Sequence, residues 1–385
     1  MTAPKSTALP DYRTALSEIV EQTIAPAATE IDRTGAYPRA ALNALREAGV
    51  LSVLSATEVG GGGGSLADVA EVVEAIAAVC GSTAMVVLMH FAATAAIEAH
   101  GPRDVREAIA TGNHVTTLAL SEAGSRSHFW APMSSAAQAG DSFRLDAAKS
   151  WVTSAEEADS YVWSSTPVSA AGPMTLWLVP ADAPGLRVAG GFDGVGLRGN
   201  GSKPVTGEGV LVPESARLGE DGVGLDIALA TSLPTFLIGN AAFSVGLMGA
   251  MVAEAAAHLT RTRLTHLDVS LAEQPVSRAD FARLRTRSDE ARAFLADTLL
   301  AVGSGRADAT LRVLQVKAVA AEASTEVADG VLRLCGGAAF RKELGVERRF
   351  RDSLAARVMA PTTAALQDFV GRASLGQPLF DEVSA

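Results

Sequence analysis

The chain has 385 residues, 48% of them apolar and 19% charged, which excludes a disordered or fibrous protein and allows two or three domains with a sizeable core. A net charge of −11 argues against broad attraction to nucleic acid or to an anionic membrane surface. Two cysteines, Cys80 and Cys335, cannot build a disulfide framework and suit a reducing cytoplasm, and the N-terminal residues lack the apolar core of a secretory leader.

In chain order, residues 11–50 read as two helices. Leu16, Ile19, Val20 and Ile24 recur at helical spacing, a second run covers 40–48, and Pro26 is the expected break between them. Five glycines at 60–64 invite comparison with a phosphate loop. No Gly-Lys-Ser/Thr follows and no strand–helix–strand pattern surrounds them, so a mobile turn before a helix at 66–79 is expected. A further helix covers 84–99. Residues 116–212 are rich in Val, Thr, Ser, Trp and Gly in short alternating runs, which predict a small β-barrel or sandwich. Helical periodicity returns at 225–264, 276–303, 306–334 and 353–375. Residues 227–253 carry no charge and are long enough to span a bilayer. Pro234, Asn240 and Ser244 within the stretch, and no close Lys/Arg cluster, predict a helix buried in protein instead. The expected class is α+β: a helical domain at 1–115, a β-domain at 116–220 and a helical bundle at 221–385.

Four segments carry chemistry. The first runs Leu120-Ser121-Glu122-Ala123-Gly124-Ser125-Arg126-Ser127-His128. A strand end with a hydroxyl and free amides can donate to a pyrimidine edge and to phosphates; it also fits an ordinary polar turn. The second is Lys149-Ser150-Trp151-Val152-Thr153-Ser154, followed by Ala158-Asp159. Strand alternation puts Trp151 and Thr153 on one face, suited to an aromatic ligand or to a barrel core. The third, at 196–202 and 209–213, is a Gly-rich turn between strands with a structural role. The fourth is Cys335-Gly336-Gly337-Ala338-Ala339-Phe340, then Val346-Glu347-Arg348-Arg349-Phe350-Arg351-Asp352.

In this order and spacing, the four segments resemble the acyl-CoA dehydrogenase superfamily over nearly the whole chain. The resemblance implies a flavoprotein holding FAD, with FMN as the alternative. Leu120, Ser121 and Ser127 would line the flavin and its pyrophosphate, Trp151 would cover the isoalloxazine, and Thr153 would bond it. Arg261 matches a pyrophosphate-binding arginine. Gly336 and Gly337 would let a backbone approach the cofactor of a neighbouring subunit, since glycine has no Cβ to hold it away. Thr362 is a further flavin contact. The Arg351-Asp352 end is similar to a buried structural ion pair. The resemblance also implies a homotetramer, an acyl substrate on CoA or a carrier protein, and an electron-transfer flavoprotein or flavin reductase as redox partner.

The chain departs from this pattern where the chemistry should be. Counting from Gly337 through Arg351-Asp352, the family's basic glutamate falls on Ala360. The alternative position on the preceding buried helix falls at Phe236, with no acid nearby, and residues 234–237 lack the usual CoA-contacting Asp and Arg. His90 is the remaining candidate acid or base near neutral pH, and it equally fits a satisfied core histidine. No histidine or cysteine spacing suggests a metal. Three functions are therefore open: oxidation of an acyl thioester with an unusual base, monooxygenation by reduced flavin and oxygen, or flavin binding without turnover.

Overall fold

The computed structural model describes residues 12–125 and 128–380. The N-terminal helices are α1 (Tyr12–Ile19), α2 (Ala25–Thr34), α3 (Arg39–Glu47), α4 (Leu66–Ala77), α5 (Gly81–His100) and α6 (Arg103–Ala110). A π-helical turn, Val20–Ile24, joins α1 to α2 without a break. Pro26 is therefore not the break expected from the sequence. It sits just past the π-turn, whose wider bonding, Ala25 N to Val20 O, lets the helix run on past the missing N–H. The chain turns instead at Gly35, whose φ of +70° closes α2 with a hydrogen bond to Ile31 O.

The five-glycine segment is folded and not the mobile turn the sequence suggested. Its amides donate inward, Gly62 to Ser52 O at 2.9 Å, Gly63 to Ser55 O at 2.8 Å and Gly64 to Val53 O at 2.7 Å. A Cβ on Gly61 would lie 2.3 Å from Ser55 O, so glycine is there for close backbone approach. Ser65 then starts α4 with a capping box to Asp68.

The β-domain is a sandwich. Its strands are β1 (Thr116–Ala119), β2 (Ser135–Ala139), β3 (Ser142–Val152), β4 (Ser160–Ser165), β5 (Thr175–Pro180), β6 (Leu186–Val188), β7 (Lys203–Pro213) and β8 (Arg217–Leu218). One sheet has the order β1-β4-β5-β8, with β1 parallel to β4; the other is β2-β3-β7-β6, antiparallel throughout. Phe143, Leu145, Val210 and Val212 of the second sheet meet Tyr161, Trp163, Trp177 and Val179 of the first. The alternate residues Val162, Leu176 and Leu178 face the helices and join their core. That is why β4 is buried at every residue.

The C-terminal helices are α7 (Gly224–Ala230), α8 (Ser232–Arg261), α9 (Pro275–Ser304), α10 (Ala309–Cys335), α11 (Val346–Ser353), α12 (Ala355–Val358) and α13 (Thr363–Ser374), with a two-residue pairing of β9 (Arg263–Leu264) and β10 (Val269–Ser270) before α9. α8 packs on α4, α5, α9 and α10, and every residue from Thr235 to Met248 is buried. Two helical stretches, Gly81–His100 and Gly224–Arg261, are apolar and long enough to cross a membrane, and 83% of each apolar window is buried inside this protein. The charge-free segment is thus the central core helix. The overall α+β architecture is the one the sequence predicted.

Candidate active site

Two of the motif segments are joined by backbone bonds. Ser121 O, just past β1, accepts from Ser150 N at 2.9 Å, and Ala123 N donates to Ala148 O at 3.0 Å. Under this joint lies a buried ion pair, Lys149 Nζ to Glu122 Oε1 at 2.5 Å, with both side chains at most 3% exposed. Lys149 also donates to Ser164 O at 2.7 Å and to Ser164 Oγ at 2.9 Å. Glu122 accepts from the amides of Met133 at 2.6 Å and Ser134 at 3.0 Å, and from the Ser134 hydroxyl. Burial opposes the Glu122 charge, yet Lys149, Ser134 and the Met133 amide hold its carboxyl below the usual range. Burial pulls Lys149 down to about 8 against the pull of Glu122.

Trp151 differs from its expected place in a regular strand. The β3–β7 register shifts between Lys149 and Val152, and Trp151 has φ +57°. This bulge breaks the alternation that would put Trp151 and Thr153 on one face. The indole is 71% exposed, held edge-on to Phe192 at 6.4 Å, whereas Thr153 lies past the strand end, buried, with Oγ1 3.3 Å from Ser202 Oγ. A non-glycine residue held at positive φ with a large exposed ring is an arrangement kept for binding more readily than for packing.

From the other domain, Thr362 caps α13, its Oγ1 accepting from Ala365 N at 3.3 Å. Trp130 fastens α13 to the segment after the 120–125 turn through Phe369 at 5.1 Å and Phe380 at 5.4 Å. Gly336 has φ +60° and ψ −142°, a conformation open essentially to glycine alone. A Cβ added to Gly336 or Gly337 would meet nothing within 4 Å, so nothing in this chain crowds them. Arg261 is exposed, 3.4 Å from Glu254. Leu120 and Ser121 are half-buried at the joint. Ser127 and Arg126 lie outside the described residues.

The flavin implied by the sequence fits these residues: an exposed indole face, a hydroxyl at the joint, and a capped helix start at Thr362. Arg261 and the open Gly336-Gly337 backbone face outward, available to a cofactor or a second chain. The structure thus joins the 120–123 and 148–153 segments, and carries Arg261, Gly336 and Gly337 on the surface of the helical bundle.

His90 is not an available acid or base. It is 1% exposed, Nδ1 accepts from Thr116 N at 3.2 Å, and Nε2 lies 3.1 Å from Leu51 O, which only a protonated Nε2 satisfies. Burial pushes its titration down to about 4, so it is a neutral core histidine. The Arg351-Asp352 end is also not a mutual pair. Arg351 pairs with Asp32 at 2.6 Å and Glu347 at 2.7 Å, while Asp352 accepts from Leu197 N at 2.7 Å.

Ala360 is half-buried between Met359 and Pro361. One residue escaped the sequence reading: Lys317, wholly buried, whose Nζ donates to Met359 O at 2.9 Å and Pro361 O at 2.7 Å and lies 5.7 Å from the Phe236 ring centroid. Both positions where an acid was sought, 360 and 236, therefore surround one amine. Its sequence signal is a lysine on the apolar face of α10, three or four residues from Val313, Ala320 and Ala321. Among the described residues no cluster of His, Cys, Asp or Glu could hold a metal.

Residues 9–112, 117–210 and 222–375 match, respectively, the N-terminal, middle and C-terminal domains of the acyl-CoA dehydrogenase family. The mitochondrial short-chain specific acyl-CoA dehydrogenase of Bos taurus is 26% identical over 376 residues, covering 91% of this chain and 87% of its own. The butyryl-CoA dehydrogenase structure from Megasphaera elsdenii is similar with a TM-score of 0.89 at 21% identity, covering 97% of this chain and 100% of its own. The prolyl acyl carrier protein oxidase AnaB is similar in fold with a TM-score of 0.86 at 17% identity, over 97% of this chain and 100% of its own.

Proposed function

The chain belongs to the acyl-CoA dehydrogenase superfamily of FAD-dependent oxidoreductases, and from that premise we propose that it oxidises a small acyl thioester without the carboxylate base usual in the family. The observation that carries this reading is the pairing of a flavin-ready joint, Ser121 and Trp151, with an alanine at 360. Bound FAD supplies hydride acceptance. The chain's part is to stack the exposed Trp151 indole on the ring and to offer Ser121, at the joint, to its polar edge. The short-chain relative supports a small acyl group. The carrier-protein oxidase supports a carrier-bound thioester, in keeping with residues 234–237, which supply no charged contact to CoA.

The purified protein is expected to be yellow and to release FAD on denaturation. A colourless protein that neither FAD nor FMN reconstitutes would sink this reading. Trp151→Ala should weaken flavin binding by about 0.5–1.5 kcal/mol beyond the lost area, read by fluorescence titration of the apoprotein.

The Gly336-Gly337 turn, open in this chain and bordered by Phe340 at 82% exposure, supports a dimer-of-dimers assembly in which these glycines and Arg261 serve the flavin of a neighbouring subunit. Light scattering should then give four chain masses. A monomer with full flavin occupancy would overturn the contribution across subunits.

A further inference from the structure

Lys317 does something the family reading does not use. It sits on the core face of α10 with no exposed surface, and among the described residues no carboxylate reaches it. The elements around it offer no counter-charge. α8 carries no charged residue between 232 and 253. On α10, Glu322 pairs with Arg357 of α12 at 3.2 Å. Asp352 of α11 is held by Leu197 N, and Asp368 of α13 pairs with Arg372 at 2.9 Å. Arg287 of α9 pairs with Glu290 and Glu326.

Two carbonyls, Met359 O and Pro361 O, take two of the nitrogen's positions, and the third has no hydrogen-bond partner among the described residues. A neutral amine satisfies this geometry completely, with two N–H groups for two carbonyls. An ammonium leaves one N–H unpaired in a buried place. The two carbonyls flank residue 360, so the state of this nitrogen bears on the backbone that carries the family's base position.

We propose that Lys317 is the positioning residue of this site: a clamp on both carbonyls flanking Ala360 that releases and takes up a proton while it stays bonded to them. Charge-assisted hydrogen bonds are roughly twice as strong as neutral ones, so protonation tightens the clamp and places a positive charge beneath the turn. Burial agrees, pulling Lys317 down to about 7 with no opposing influence. The link to the flavin rests on the cofactor placement proposed above; the clamp itself does not.

The sign follows from proton counting. A lysine lowered in the folded state binds fewer protons folded than unfolded from about pH 7 to about pH 10.4. Its cost to stability is full below that window and is relieved as pH rises through it. Urea unfolding of the whole protein at several pH values between 6.5 and 10 tests this. Relative to Lys317→Met, the wild-type unfolding constant should fall by up to about tenfold per pH unit within the window. Lys317→Gln, which keeps a polar group against the two carbonyls but cannot titrate, should lose the extra slope as Lys317→Met does. In the flavin-loaded protein, the visible band should show a one-proton transition near pH 7 that Lys317→Met lacks.

Equal slopes in wild type and Lys317→Met overturn the proposal, and so does an unchanged slope in Lys317→Gln. If Lys317→Met does not fold, the Lys317→Gln comparison decides alone. A pH-insensitive flavin band overturns the link to the cofactor. A colourless protein overturns the flavin reading and leaves the unfolding comparison to judge the clamp.

Discussion

Anaerobic mixing with a saturated short-chain acyl-CoA is expected to bleach the flavin band slowly, by a factor of ~10²–10⁴ relative to a variant with a competent base. The reason is local. Removing an α-proton needs an acceptor within hydrogen-bond reach, and a methyl group at Ala360 accepts nothing. His90 cannot replace it, with both ring nitrogens engaged and its titration pushed to about 4. Ala360→Glu is expected to raise the reduction rate by a measurable part of that factor, checked by stopped-flow absorbance. Fast bleaching in the wild type would show that another group takes the proton. No gain in the variant, together with oxygen-dependent product from externally reduced flavin, would indicate monooxygenation in place of thioester oxidation.

Lys149→Met should cost about 3–5 kcal/mol of folding stability, because it leaves the Glu122 carboxylate buried without its partner. Urea unfolding at constant pH measures it. The loss should be smaller in Lys149→Met combined with Glu122→Gln, since the second change removes the stranded charge. The single variant should also lose flavin more readily. The pair sits beneath the bonds that tie Ser121 to Ser150, so the joint that presents Trp151 loosens with it. A cost below about 1 kcal/mol would show that water or a shifted Ser134 replaces Lys149, and that the pair does not hold the joint.

The sequence made the fold legible and named candidate site residues, with little of their geometry. Helices such as α9 and α10, and the strand-rich middle, follow from periods of 3.6 and 2 that any stretch of chain carries locally. The motif segments were legible because each is a short run of residue types in fixed order. Counting alone placed Ala360 at the glutamate position the family resemblance implies. Tertiary structure decided what depended on partners far away in the chain. Pro26 could not break a helix that a π-turn let pass. The five glycines gave up their amides to the carbonyls of residues 52, 53, 55, 56 and 57. Trp151 was turned outward by a bulge that only the pairing of β3 with β7 creates. His90 and Lys317 make the point most sharply. Both are polar residues on apolar helices, and nothing local distinguishes them. His90 is satisfied by Leu51 and Thr116 and so is quiet, whereas Lys317 reaches two carbonyls more than forty residues away and lacks a counter-charge. A buried polar group's role is set by what the fold brings to its remaining hydrogen-bond positions, and that is information no local pattern contains.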